Sequence, residues 1–520
     1  MPSTYRIHPS IGIARVGDSP DEYFVGSGAP GVPPSLNRPD APHDPNSGYK
    51  DDQGRIKRQG ARFRIYEYTL DEAGATMQVR EVTATDAQIE WKVHLANRKA
   101  AAAKFPPRGE DEERRNDGVP ESRLIIDSGP QKISGVEQPM KRLQGRFMDA
   151  VDVPLGDLLT DSAGRLIVLG GFGKSQSPSD SPLIHYANND GWCDDVSDGP
   201  VRATIRLNGS TETIEADPAW VIVAPPDFAP AIENVVTLYD VVYDVMAKFD
   251  PSLAISDATN VSFTRDIYPI LRRASNMYWV SLKAAGFHAP GSFGFFISRV
   301  PALQNDAAAR DRIFQALRDP KDPKDGSLMP KLAANTDPTI PGVSLTQVQY
   351  ERMKRWRDGE FEADWPENGE PTPLLFDELP DMEAPHALDR AALEACVGGG
   401  FYPGIEVGRI MLEEATYDRN RPFRINAKLD PGTLTARMAV PWQADFLACG
   451  FDDGLNVDWW PGQRPDQVFR GQERLDWVPS GWHSFRDMVE NWSQLGIVVK
   501  EEGTDRYVED ERSLDLDNEG

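Results

Sequence analysis

Cys396 opens the run Cys-Val-Gly-Gly-Gly-Phe-Tyr-Pro-Gly-Ile-Glu, and a later segment, Asp-Trp-Trp-Pro-Gly-Gln-Arg-Pro-Asp, sets Trp459 beside Trp460. A thioether can join a cysteine sulfur to an indole, and an indole oxidised at two carbons becomes a quinone. A quinone is an electrophile and a two-electron acceptor, roles that no unmodified side chain fills well. A chain that made this link would carry a redox centre built from its own residues. A lone buried cysteine is ordinarily an inert small hydrophobe. Here the three glycines Gly398 to Gly400 end the preceding helical turns and let backbone pass close to something bulky.

Other motifs carry less. Gly26-Ser-Gly28-Ala-Pro-Gly31 fits the dinucleotide pattern, but Pro33 and Pro34 follow where a helix N-terminus is needed. The stretch Asn188 to Gly199 is dense in oxygen ligands for a hard cation. Asx turns account for the same composition without a metal. His386 and His483 flank the C-terminal constellation and read as surface or capping residues. Three cysteines, Cys193, Cys396 and Cys449, make no disulfide framework, and neither Cys-x-x-Cys nor His-x-x-x-His occurs, so no metal site is assigned.

The elements that must position these residues change character along the chain. Residues 1–250 read as strands and long loops, and Ala219 to Phe228 reads as a buried strand stopped by Pro225 and Pro226. Lys104 to Arg123 reads as a charged surface loop. Residues 251–520 are more helical. Ile267, Ile270, Leu271, Ala274, Met277 and Tyr278 share a face, with Pro269 in the first turn. Ser344 with Gln347 predicts a helix start, and Gly359 its end. Ser484 with Asp487 predicts another start. Asp389 reads as an N-cap before short helical turns that lead to Cys396. Glu501 to Gly520 is acidic and reads as frayed. The expected fold class is α+β, a β-rich N-terminal half followed by a mixed half bearing the redox segments.

Of 520 residues, 39% are apolar and 27% charged, an ordinary globular mixture with room for two or three cores. The net charge of −26 repels phosphate backbones and argues against nucleic-acid binding. No apolar run is long enough for a membrane span, and the N-terminus lacks a signal-peptide pattern, so a cytoplasmic setting is expected. The sequence leaves a homo-oligomer open.

Five segments, in order, carry a family resemblance: Arg6 to Gly17, Ile222 to Phe228 with Val236 to Val241, Cys396 to Glu406, Val440 to Phe446, and Trp459 to Asp466. Through them the chain resembles the lysine ε-oxidase and glycine oxidase family, whose members carry cysteine tryptophylquinone. The resemblance implies that Cys396 is the thioether donor and that Trp460, favoured over Trp459, forms the quinone. It implies oxidation of a primary amine of an amino acid, free or in a peptide, with dioxygen, releasing ammonia and hydrogen peroxide. It also implies a separate flavoprotein that matures the cofactor. Within this scheme Asp445 is the candidate base near the quinone. Arg464 and Arg470 are candidate clamps for a substrate carboxylate, with structural ion pairing as the alternative. The family carries an aspartate four residues before the cysteine, where this chain has Ala392; Asp389 and Glu394 are the nearest carboxylates. That departure leaves a second reading open: a homologue without a mature quinone, active in peptide modification or as a binding protein.

Overall fold

Ile-Gly-Ile-Ala-Arg at Ile11–Arg15 is buried at every position, as a strand covered on both faces requires. Ala219–Ala224, equally buried, runs parallel to it, with Trp220 opposite Ile11 and Ala224 opposite Arg15. These two strands lie in the middle of the main sheet of the computed structural model, which describes residues 2–105, 113–256, 259–322, 327–330, 344–399, 403–448, 461–513 and 516. Among those residues a 15-stranded sheet accounts for most of the N-terminal half. Its main path runs Lys141–Phe147, Val151–Thr160, Leu166–Leu169, Arg58–Leu70, Ile11–Arg15, Ala219–Ala224, Ser197–Leu207, Ala87–Val93 and Gln131–Ser134. Most neighbours are antiparallel, which suits strands with one wet face.

The C-terminal half is mixed, as expected. Its helices include Tyr268–Asn276, Gln347–Asp358, Ala384–Glu394, Trp442–Ala448 and Phe485–Asn491, with Leu238–Met246 just before them, and it carries two small hairpins. The main hydrophobic core runs from Tyr5 to Val498, so sheet and helices share it.

Several local readings hold. Pro225 and Pro226 follow the strand end at Ala224. Pro269 sits in the first turn of Tyr268–Asn276. Ser484 and Asp487 form a reciprocal capping box. Other readings are corrected. The cap of Gln347–Asp358 is Thr346 with Gln349, not Ser344 with Gln347, while Gly359 does end the helix with φ 82°. Asp389 is not an N-cap: the helix begins a turn earlier, with Pro385 in its first turn, and Asp389 is buried in its middle. Lys104 to Arg123 is not wholly surface, because Arg115 is fully buried and donates to the Lys99 carbonyl. The C-terminal stretch is not all frayed, since Tyr507–Asp510 pairs with Ile497–Lys500.

Candidate active site

Two neighbours hold the segment that leads to Cys396. On one side the helix Ala384–Glu394 packs on the strands Ser3–His8 and Ile11–Arg15. Asp389 Oδ1 accepts from His8 Nδ1 at 3.0 Å and from the Ser10 N–H at 2.5 Å. His8 Nε2 receives the Tyr68 hydroxyl and an Arg424 N–H, at 3.1 and 3.2 Å, so the ring proton sits on Nδ1. Burial, above all, pushes the His8 pKa down and keeps the ring neutral. Burial works to raise Asp389, but His8 and Arg424 hold its carboxyl below the usual range. On the other side, Val397 bridges to Thr237, the Leu238 N–H donates to the Cys396 carbonyl at 3.0 Å, and the Gly398 N–H donates to Val236 at 3.0 Å. Gly398 has to be glycine: a Cβ there would sit 1.9 Å from the Thr237 carbonyl oxygen.

Cys396 itself is fully buried and in no disulfide. Its Sγ lies 3.7 Å from Arg15 Nη2, and the same nitrogen donates to Glu406 Oε1 at 3.0 Å and to the Ala395 carbonyl at 3.0 Å. Glu406 Oε2 accepts the Val397 N–H at 3.1 Å, and Asp227 lies 3.8 Å from Arg15 Nη2. The sheet explains this meeting. Ala224 is in register with Arg15, so the chain that leaves the strand through Pro225 and Pro226 delivers Asp227 to the same end. One guanidinium thus faces two buried carboxylates and a thiol. Burial pushes the Glu406 carboxyl up to about 7 against the pull of Arg15. Burial also raises Asp227. Burial, and then the charge of Glu406, pushes the thiol well above its ordinary value. Sequence reasoning assigned no role to Arg15, Asp227 or Glu406, although each lies within a segment that carries the resemblance.

Trp459 and Trp460 lie outside the described residues, as does Cys449. The described residues continue from Pro461, and the first of them dock beside Cys396. Gln463 Nε2 donates to the Ala395 carbonyl at 3.1 Å, the Phe228 N–H donates to the Gln463 carbonyl at 3.1 Å, and the Gly462 N–H donates to Asn234 at 3.2 Å. Arg464 is buried and donates through Nη1 to the Asp445 carboxylate at 2.8 Å and to the Asp445 carbonyl at 2.6 Å. The carboxylate that Arg464 holds is therefore a protein one. Asp445 stands in the first turn of Trp442–Ala448, whose Trp442 and Phe446 pack edge to face with each other; Phe228 and Trp477 continue the aromatic wall. Arg470 ends the strand Gln467–Arg470 and pairs with Glu509 at 2.8 Å, a third exposed. Glu394 binds Arg273 and Arg390, at 3.1 and 2.8 Å.

A cleft of about 690 Å³ opens on this cluster, with Arg15, Asp227, Ala392 and Ala395 in its wall. The Gly26–Gly31 loop also lines it, and no helix follows that loop. The acidic run Asn188 to Gly199 is engaged with protein. Asp194 accepts from Lys99 at 2.6 Å and from the Trp442 N–H at 3.0 Å, and Asp198 accepts from the Thr435 hydroxyl at 2.7 Å. Among the described residues no three of His, Cys, Asp and Glu gather as a metal ion would need. His386 accepts or donates with the Tyr239 hydroxyl at 3.0 Å, and His483 is exposed. No helix among the described residues is long and apolar enough to cross a membrane.

Comparisons with known proteins agree with one another. The model of the L-Lysine epsilon oxidase N-terminal region matches residues 8–223, and that of the L-lysine epsilon-oxidase C-terminal domain matches residues 331–470. The chain is 29% identical to L-lysine 6-oxidase of Marinomonas mediterranea, over 98% of its own length and 90% of that protein. It superposes with a TM-score of 0.76, at 25% identity, on the crystal structure of the Schiff base intermediate of L-Lys epsilon-oxidase from Marinomonas mediterranea with L-Lys, covering 98% of this chain and 95% of that one. A further structure of the epsilon-lysine oxidase from that organism matches at 24% identity with the same TM-score and coverage, which bears on the fold alone. With both terminal regions matched and the relationship running nearly end to end, the chain belongs to the L-lysine epsilon-oxidase family and is an oxidoreductase that acts on CH–NH₂ groups with oxygen as acceptor.

Proposed function

We propose that the protein oxidatively deaminates a primary amine of an amino acid, free or within a peptide, using a cysteine tryptophylquinone made from Cys396 and Trp460, with release of ammonia and hydrogen peroxide. The observation that carries this reading is the bond from Gln463 to the Ala395 carbonyl. It fastens the chain three residues after Trp460 to the residue before Cys396. The donor set also fits the group: a buried thiol in no disulfide, beside carboxylates able to receive protons. The quinone supplies an electrophilic carbonyl and a two-electron sink.

The remaining work falls to side chains. In this reading Asp445 takes the proton from the substrate carbon, and Arg464 fixes the orientation of its carboxylate. The wall of Trp442, Phe446, Phe228 and Trp477 keeps water from the reacting atoms. The cleft admits the substrate. Its volume lies within the ordinary range of small-molecule sites, about 300–1,000 Å³, and is ample for an amino acid or a peptide end. It carries both signs, with Arg272 and Lys500 as well as Glu370 and Asp227, as a zwitterion requires. In this reading Arg470, which pairs with Glu509, belongs to the fold and not to the substrate site. A flavoprotein partner would mature the cofactor.

The alternative, a homologue without the quinone, draws on Ala392, which brings a methyl group to the cleft wall where the family carries a carboxylate. Tryptic mapping of protein made with its maturation partner separates the two. A joined Cys396–Trp460 peptide, a quinone absorption band and peroxide release on amine addition are expected. Separate, unmodified peptides would sink the quinone reading.

A further inference from the structure

Joining a cysteine sulfur to an indole carbon breaks one S–H and one C–H bond and forms one C–S bond. Two electrons and two protons leave. With dioxygen, the acceptor of this enzyme class, the balance is thiol plus indole plus O₂ to thioether plus H₂O₂. The sulfur proton has to go somewhere. Cys396 is fully buried, and release of that proton to bulk water would leave an added negative charge in an apolar interior.

We propose that Glu406, held by Arg15, is the group that takes the Cys396 thiol proton when the sulfur is linked to the tryptophan ring. This inference rests on the cross-link proposed above. Its ground is geometric. Arg15 Nη2 touches both the sulfur, at 3.7 Å, and Glu406 Oε1, at 3.0 Å, so acid and base share one guanidinium. Transfer from Sγ to Glu406 moves a proton within the cluster and leaves its net charge unchanged. Arg15 stays beside the developing thiolate and stabilises it. The other carboxylates are committed elsewhere: Asp389 to His8 and Ser10, Glu394 to Arg273 and Arg390. Asp227 faces Arg15 at the longer distance of 3.8 Å. The Glu406 carboxyl, raised by burial to about 7, is also well matched to receive a proton near neutrality. Glu406 thus supplies, from ten residues after the cysteine, the carboxylate absent at Ala392.

Glu406→Gln keeps the shape and removes the base. Wild type and variant, each made with the maturation partner, are denatured, alkylated and mapped. The variant is expected to show at least a tenfold loss of the joined peptide and an alkylatable Cys396, with Glu406→Asp recovering part of the link. A Glu406→Gln protein linked as fully as wild type would overturn the proposal. A wild type that is active but never linked would instead overturn the quinone reading. Should the Gln variant fail to fold, the wild type alone serves: linkage started by admitting oxygen should speed up as pH rises through about 7, and a flat profile from pH 5.5 to 8.5 would refute the role.

Discussion

Arg464 Nη1 reaches both the carboxylate and the backbone carbonyl of Asp445, so one buried ion pair closes the chain across residues 449–460. Removing the cation strands a desolvated anion. Arg464→Ala is expected to cost about 3–5 kcal/mol of stability, the usual consequence of breaking a buried pair, measured by urea unfolding. Asp445→Asn tests the base assignment. With the cross-link verified by mass, kcat should fall by about 10²–10⁴, the ordinary contribution of a positioned base; near-wild-type kcat would remove Asp445 from the chemistry.

Gly398 lies where the Cys396 segment touches the start of the helix Leu238–Met246. A methyl group there would overlap the Thr237 carbonyl, so the backbone must move. Gly398→Ala should destabilise the protein by about 1–3 kcal/mol, as overpacking does, and lower the yield of linked peptide more than a control such as Gly286→Ala, where a Cβ meets open space. Thermal melts and peptide maps of both variants provide the check.

Asp389 ties the helix Ala384–Glu394 to the N-terminal strand. Asp389→Ala leaves the His8 Nδ1–H and the Ser10 N–H without their acceptor. The expected loss is about 1–3 kcal/mol for each buried donor left unpaired. Hydrogen exchange should show faster opening of this helix, while the hairpin Ile497–Lys500 with Tyr507–Asp510 is unaffected.

Asp195 gives a pH test independent of the chemistry. Burial, and then the charge of Asp194, pushes its carboxyl up to about 7 from 3.8. A carboxyl whose pKa is raised on folding stabilises most below its unfolded pKa, and that contribution is lost as pH climbs through the folded one. Wild-type stability should therefore decline between pH 4 and 7, by on the order of 2 kcal/mol over pH 5 to 7 from this group. In Asp195→Asn the decline should be shallower. Melting temperatures of both proteins at several pH values decide it; parallel curves would contradict the assignment.

How much of this was legible in the sequence depended on range. Local signals were read correctly where one short segment held all the information: Pro225 and Pro226 stopping a strand, Ser484 with Asp487 starting a helix, Gly359 ending one. The N-cap reading of Asp389 failed because a short polar residue before an apolar run looks the same whether it begins a helix or is buried within it, and Pro385 was the better start signal. The resemblance pointed to the segments around Cys396 and Trp460, of which Trp460 lies outside the described residues. The partners Arg15, Asp227 and Glu406 were not. Their meeting depends on the parallel register of Ile11–Arg15 with Ala219–Ala224, and periodicity along the chain says nothing about which strands become neighbours. Arg464 and Asp445 were both singled out, but their pairing with each other is a tertiary fact.

The run Asn188 to Asp198 reaches forward to residues far along the chain: Asp198 binds Thr435, Asp194 the Trp442 N–H, and Asn189 the Val440 carbonyl. A fragment stopped near residue 250 would keep the Lys99 and Trp220 donors to these acids but lose those from Thr435 and Trp442, and the complementary fragment would lose the anchor of the helix bearing Asp445. Expressed singly, each piece should be insoluble or molten; produced together in one cell, they should reassemble into a nicked enzyme that co-purifies through a tag on either piece.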